Sequence, residues 1–338
     1  MLTSEAIVLE EFNQPLVIKR VLIPDLKSNQ VLVKIKYASI CGSQLYEWRG
    51  ERDNKKWLPH LLGHEAFAEI VEINSDNNAF FVGQKVIISW LTNGLPSGVA
   101  PTYKDINGKV INAGKNAVFA TYSVVSIDRI FPAHPAIEEK LAPLFGCAIP
   151  TGAGMVYKSL DDYLGGPVLV KGFGGVGMAS AACLKILGIK DIRVSDFAHE
   201  RLNVAVEMGF TPISPLGQLS SSNQYELIFE TTGSARSIEE SFNLLTYPGK
   251  LVFASHPPKG SMVTLDPHDL IKGRKIEGTW GGGIKNQKEF THICELMAGH
   301  IELEHFVGKE FNFREVNKAI TYTSQGHRGR ALLNFELA

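Results

Sequence analysis

The sequence predicts an α/β protein in two parts: a β-rich N-terminal region and a doubly wound parallel sheet covered by helices. Three observations carry this. A glycine turn, Gly172-Phe173-Gly174-Gly175-Val176-Gly177, is entered from the apolar run Val168–Val170 and left through the Ala-rich stretch Met178–Leu187. Beyond it, short apolar runs and helical stretches alternate, the mark of a parallel sheet. Before it, residues 1–90 hold short β-branched runs broken by Gly, Asn, Asp and Pro, with no long helical period.

Length and composition narrow the function. A chain of 338 residues is long enough for two domains that each bury a core. With 44% hydrophobic residues, 20% charged residues and a net charge of -1, it projects no general field toward nucleic acid or acidic lipid. No apolar run reaches the roughly 18 residues of a membrane span. The start of the chain carries Glu5, Glu10 and Glu11 and lacks a basic-then-apolar leader, so the cytoplasm is the expected compartment. Cys41, Cys147, Cys183 and Cys294 form no close pair, which points to free or metal-bound thiolates rather than a disulfide framework.

Taken in order, Ala6–Leu9, Leu16–Val21, Val31–Tyr37, Ala66–Ile73 and Lys85–Ile88 read as strands of a barrel-like domain. Leu91–Ala117 reads as a long loop, Val118–Val125 as a strand and Glu138–Ala142 as the start of a helix. In the second half Ile192–Ser195, Leu227–Glu230, Lys250–Ala254 and Lys275–Trp280 read as strands. Arg201–Met208 and Ile238–Leu245 are the helices between them. Helices at Gln287–Ala298 and Glu315–Thr323 and a strand at Ala331–Phe335 close the chain.

The glycine turn is chemically specific because its context is complete. Gly172 permits the tight turn, Gly174 lets backbone approach a pyrophosphate, and Gly177 lets helix and strand pack closely. Gly175 and Val176 lie at the helix N-terminus, where phosphates are attracted. Asp196 ends the next strand about 20 residues on, where a carboxylate accepts hydrogen bonds from the adenosine ribose and repels a 2′-phosphate. NAD is therefore expected over NADP. Thr231, Thr232 and Gly233 end a further strand at the crevice edge. Three other residues carry metal chemistry. Cys41, His64 and Cys147 form a Cys2His set that suits a catalytic zinc with its fourth position open.

Cys41-Gly42-Ser43, Gly63-His64-Glu65 and Gly146-Cys147, standing in this order before the glycine turn, resemble the zinc-dependent medium-chain alcohol dehydrogenases. Gly249–Phe253, Lys275–Trp280 and Gly326–Leu333 extend the likeness over nearly the whole chain. The resemblance implies a GroES-like catalytic domain at 1–150 and 284–338 around a Rossmann domain at 151–283. It implies hydride transfer between an alcohol or carbonyl and the nicotinamide, with one catalytic zinc as Lewis acid. It further implies Ser43 as the group that passes the alcohol proton outward and Glu65 as an alternate or supporting zinc ligand. Arg330 would pair with the pyrophosphate, and Trp57, Trp90 and Trp280 would wall the substrate pocket. A homodimer joined near Lys275–Trp280 is implied by the same likeness. Leu91–Ala117 contains no Cys, so no structural zinc is expected.

Two positions depart from the family pattern, which often has Asp and His where this chain has Gln44 and Tyr46. Imidazole takes up a proton near neutrality and a phenol does not. Either the relay ends in water or the enzyme acts mainly as a reductase. Two other readings remain at this stage: reduction of a conjugated double bond, and nucleotide binding without turnover. Gln44 also removes a charge from behind the ligands. The expected consequence is ready loss of zinc to chelators; full metal retention after prolonged chelation would contradict it.

Overall fold

The computed structural model describes residues 2–52, 55–161, 163–213, 225–300 and 302–337. Among the described residues, ten strands precede the one that enters the glycine turn: β1 (Thr3–Leu9), β2 (Val17–Leu22), β3 (Gln30–Ser39), β4 (His60–Leu61), β5 (Ala66–Asn74), β6 (Lys85–Ile88), β7 (Thr102–Asp105), β8 (Val110–Ala113), β9 (Tyr122–Ser126) and β10 (Ile130–Pro132). Strands β1, β2, β7, β8 and β4 close a small barrel. The others form a second sheet in the order β10-β6-β5-β3, with β9 also paired to β3. Alternate residues of β3 and β5, among them Val31, Val33, Ile35, Ala66, Ala68 and Ile70, fill the core between the layers.

The segment read as a loop, Leu91–Ala117, is partly strand. Its β7 and β8 make a hairpin whose turn is tied by Asp105, which accepts from the Asn107 and Lys109 amides, each at 2.9 Å. Tyr103 and Ile111 are buried by it. Four-residue strands among Gly and Pro show too few alternations to stand out. Val118–Val125 is strand only from Tyr122, and Glu138–Ala142 is turns leading into a 3-10 helix, Ala142–Gly146. Ahead of the glycine turn, two helices escaped the sequence reading. Helix α1 (Gly42–Arg49) is one short polar segment, and α2 (Ala148–Tyr157) carries Gly152, Gly154 and a proline near its start.

From the glycine turn on, the remaining elements are β11 (Val168–Lys171), α3 (Gly175–Ile186), β12 (Ile192–Ser195), α4 (His199–Glu207), β13 (Thr211–Ile213), β14 (Tyr225–Glu230), α5 (Ala235–Asn243), β15 (Leu245–Phe253), α6 (Pro267–Ile271), β16 (Arg274–Gly278), α7 (Gln287–Met297), β17 (Val307–Asn312), α8 (Val316–Ser324) and β18 (Arg330–Asn334). Strands β13-β12-β11-β14-β15-β16 pair in that order, all parallel. This is the doubly wound order 3-2-1-4-5-6, which opens a crevice between β11 and β14 at their carboxyl ends. The buried runs of β11, β12 and β14 share one core with α3, whose other face, at Ala179 and Cys183, lies against Gly152 and Ala153 of α2. Strand β18 then returns to the first sheet, antiparallel to β3 and parallel to β17.

The glycine turn depends on Gly177. A Cβ there would collide with the Gly172 carbonyl, while Gly172 itself sits at φ +88. Overpacking of this kind costs about 1–3 kcal/mol. Gly177→Ala is expected to lower the unfolding free energy by that amount in urea titration and to weaken dinucleotide binding at the same time.

Candidate metal and dinucleotide site

Three pieces of backbone converge on one point. Cys41 is the N-cap of α1, His64 and Glu65 lie between β4 and β5, and Cys147 joins the 3-10 turn to α2. The glycine before each of the last two ligand positions has a steric reason. Gly63 takes φ +90 under the Phe119 ring, and a side chain at Gly146 would strike Glu65 and the Ile88 carbonyl. The result is a set of four potential ligand atoms, one each from Cys41, His64, Glu65 and Cys147, all within 4.8 Å of one another.

The electrostatics call for a cation. The Cys41 thiol is held well below its usual value, first by the hydrogen bond from Cys147 and also by the charges of Arg330 and His64, which together outweigh burial. Cys147 is pushed well above it by that same bond and by burial, so the two sulfurs share one proton. Burial raises Glu65 to about 7 despite Arg330 beside it. Three acids thus crowd one arginine, and burial and the neighbouring negative charge keep protons on Cys147 and Glu65 while Cys41 gives its own up. A divalent cation would balance all three. His64 Nε2 and Glu65 Oε2 are also buried without a hydrogen-bond partner. The donor set and geometry fit zinc, with Cys41, His64 and Cys147 as ligands and Glu65 within reach.

Supporting contacts surround the cluster. Gln44 lies behind His64, its Nε2 2.6 Å from Nδ1, and its Oε1 accepts from the Cys41 amide at 2.8 Å. Glu65 Oε1 accepts from Ser39 Oγ at 3.0 Å and from Arg330 Nη1 at 3.1 Å. Arg330 also donates to the Ile40 carbonyl at 3.2 Å. Its Nε lies 2.6 Å from where a Cβ on Gly175 would be, so this one side chain touches both the metal cluster and the start of α3. Ser43 Oγ is buried and unpartnered.

The dinucleotide crevice lies beyond Arg330. A cavity of ≈ 300 Å³ is lined by Gly172, Gly174, Asp196, Arg201, Thr231 and Thr232, with Phe197 at its edge. Asp196 is pinned by the amides of Phe173 at 2.7 Å and Ala198 at 2.8 Å, and Arg201 approaches it at 3.4 Å. Thr231 Oγ1 donates to the Gly172 carbonyl at 2.9 Å and ties β14 to the turn. Thr232 donates to the buried Glu230 carboxylate. Gly175 and Val176 open α3 as the motif requires.

Two of the three expected pocket tryptophans meet. Trp90 and Trp280 stand edge to face at 5.2 Å. Trp57 lies elsewhere among the contacts, half-exposed on a 3-10 turn with the Lys56 ammonium 5.4 Å over its ring. Tyr46 reaches the end of β14 at the crevice, its hydroxyl 3.4 Å from where a Cβ on Gly233 would be. Sequence reading missed His256, just past β15, whose ring meets Trp280 at 4.9 Å. Partial burial and then the nearby Arg52 hold this imidazole below its usual value. Its place after a parallel strand, at the carboxyl edge, was the signal available.

With this geometry in place, comparison with known proteins decides the family. Residues 27–135 match the alcohol dehydrogenase GroES-like domain, and residues 175–299 match the zinc-binding dehydrogenase domain. The chain belongs to the zinc-dependent, medium-chain alcohol dehydrogenase family. It is 25% identical to alcohol dehydrogenase-like 1 of Arabidopsis thaliana, over 98% of this chain and 96% of that one. It is 24% identical to an L-threonine 3-dehydrogenase of Alteromonas mediterranea, over 93% and 94%. Among solved structures it is similar to an alcohol dehydrogenase zinc-binding domain protein from Burkholderia ambifaria, with TM-score 0.90 and 20% identity over 98% and 99% of the two chains. The fold is that of a GroES-like domain joined to a Rossmann domain. No helix among the described residues is long and apolar enough to cross a membrane.

The Glu65–Arg330 pair makes a direct prediction. Removing one partner of a buried pair strands the other charge at a cost of about 3–5 kcal/mol. Because Glu65 is already raised to about 7 and takes up a proton once the guanidinium goes, Arg330→Met is expected to destabilise the zinc-free protein at pH 7 by less than that in urea titration, with the loss growing as pH rises, and adding Glu65→Gln should remove the pH dependence.

Proposed function

We propose that this chain is a zinc-dependent oxidoreductase that moves a hydride between a small-molecule alcohol, or the matching carbonyl, and NAD(H). The observation that carries the reading is the Cys41-His64-Cys147 cluster standing one arginine away from the glycine turn. Bound zinc supplies a Lewis acid for the substrate oxygen, and nicotinamide supplies the hydride acceptor or donor.

The remaining work falls to the chain's own residues. Cys41, His64 and Cys147 hold the metal, and Gln44 orients His64 from behind. Arg330 keeps Glu65 in place and presents its other edge to the phosphate side of α3. Ser43, two residues past Cys41, takes the alcohol proton through its unpartnered hydroxyl. With Tyr46 turned to the crevice, the proton leaves Ser43 for water. Trp90, Trp280 and His256 form an aromatic wall that suits a substrate bulkier than ethanol, of sugar, polyol or aromatic type.

Asp196 supports NAD over NADP. Its carboxylate stands at the crevice where a 2′-phosphate would arrive, and Arg201 is already drawn to that carboxylate. We assign residues 1–150 and 284–338 to the catalytic domain and 151–283 to the Rossmann domain. The return of β17 and β18 to the first sheet supports this division. One catalytic zinc per chain, a cytoplasmic location and a homodimer joined along β16 complete the proposal. The edge position of β16 in its sheet, with Ile271 exposed on the adjoining α6, supports the last.

The deciding experiment is elemental analysis of protein purified without added zinc, wild type beside Cys147→Ala. One zinc per chain, nearly absent from the variant, is the expected result, together with NADH-linked turnover of alcohols or carbonyls. No zinc in either protein would overturn the proposal, and two would overturn the single-site assignment. A separate check is substrate screening with Trp280→Ala. It should lower kcat/KM for ring-bearing substrates by about tenfold, the worth of roughly 1.4 kcal/mol, and leave zinc content unchanged.

A further inference from the structure

Helix α1 brings more to the metal cluster than Ser43. Glu47 stands four residues on in the same helix, so the two side chains share one face, about 5–6 Å apart at Cβ. Helical side chains lean toward the N-terminus, which carries the Glu47 carboxylate back over the turn that holds Ser43. The side chain is 22% exposed, and Arg52 Nη1 lies 3.5 Å from its Oε1. Burial raises its carboxyl above the usual value; the charges of His64 and Arg52 oppose this, and that of Cys41 adds to it. The carboxylate therefore stands within reach of the cluster's field.

The other side of the same space is the loop after β15. The Tyr46 hydroxyl of α1 and the His256 carbonyl lie 3.4 and 3.7 Å from one point, where a Cβ on Gly233 would be. After burial, the charges that act on the His256 ring are those of Arg52 and Cys41, which also act on Glu47. Trp280 and then Trp90 continue the wall from His256. A substrate whose alcohol oxygen meets Ser43 thus has aromatic rings on one flank and a carboxylate–guanidinium pair on the other.

We propose that Glu47, held by Arg52, determines specificity by accepting a hydrogen bond from a second substrate hydroxyl, on the carbon next to the reacting one. The substrate class is then a polyol with a vicinal diol, its carbon skeleton against the tryptophans. An ionised carboxylate only accepts, so it selects a neighbouring group that donates. A monohydroxy alcohol presents apolar surface instead, which displaces water from the carboxylate and returns no hydrogen bond. Arg52 balances the charge of Glu47, so the pair as a whole favours a neutral hydroxyl over an ammonium group. The inference rests on the hydride-transfer reading above and narrows its substrate to one of the types named there.

The test compares ring alcohols that differ at one carbon, with zinc-loaded enzyme and NAD: cyclohexanol, cis-1,2-cyclohexanediol and cis-2-aminocyclohexanol. In wild type, kcat/KM for the diol is expected to exceed that for cyclohexanol by about 10–100-fold, the strength of a hydrogen bond to a charged group. In Glu47→Ala that preference should vanish. A merely structural role for Glu47 would lower turnover of both alcohols and leave their ratio as it was. The wild-type comparison does not depend on the variant's folding. Equal kcat/KM for diol and cyclohexanol in wild type overturns the inference, as does faster turnover of the amino alcohol than of the diol. A diol preference that survives in Glu47→Ala overturns it too. Each of these leaves the hydride-transfer reading standing. Turnover of none of the three by zinc-loaded wild type overturns that reading, and this inference with it.

Discussion

The buried ion pair between Glu65 and Arg330 ties the site to the fold. Arg330 begins β18, Glu65 precedes β5, and Gly175 begins α3, so one guanidinium touches both sheets' contributions to the crevice. Burying such a pair is costly, and it persists only where every remaining donor and lone pair is answered. Ser39 answers one lone pair of the carboxylate and the Ile40 carbonyl one donor of the guanidinium. Glu65 Oε2 is left over, and the Glu65 carboxylate is part of the cluster with the two thiols. The site therefore contains, within its own hydrogen-bond accounting, a position for one more cation.

The same economy explains the glycines. At Gly63 the backbone is left-handed under an aromatic ring, and at Gly146 a side chain would displace Glu65. At Gly175 it would meet Arg330. Each is a place where ligand, counter-charge or phosphate must come closer to backbone than a Cβ allows. In α2, Gly152 and Gly154 do the same for helix packing, against α3 and Gly282 respectively. The motifs that identify the family are thus mostly clearances around a densely charged centre.

The aromatic wall belongs to a different class of feature. Trp90 follows β6 of the first sheet, while Trp280 and His256 follow β16 and β15 of the second. Such a wall exists only where the two sheets face each other. Its members sit in loops at strand ends, the usual location of residues that choose a substrate.

What the sequence by itself determined was the order of elements and the kinds of chemistry. A parallel, doubly wound sheet, the glycine turn, Asp196 and the Cys41-His64-Cys147 set were legible because each rests on local periodicity, steric need or ligand type, whereas the order of the strands in the sheet, with β13 at its edge, was not. Short elements were not. Helix α1 has too few residues to show a period, and β7 and β8 are stabilised by pairing partners rather than by their own composition. Only the tertiary structure decided which groups share space. Glu65 and Arg330 are 265 residues apart, and Gln44 and His64 are 20 apart across different elements. The contact of Gln44 with both a backbone amide and a ligand histidine, and the pairing of Trp280 with His256, depend on how sheets and loops close on each other. Periodicity records which face a residue presents; it carries no information about the partner that face will meet.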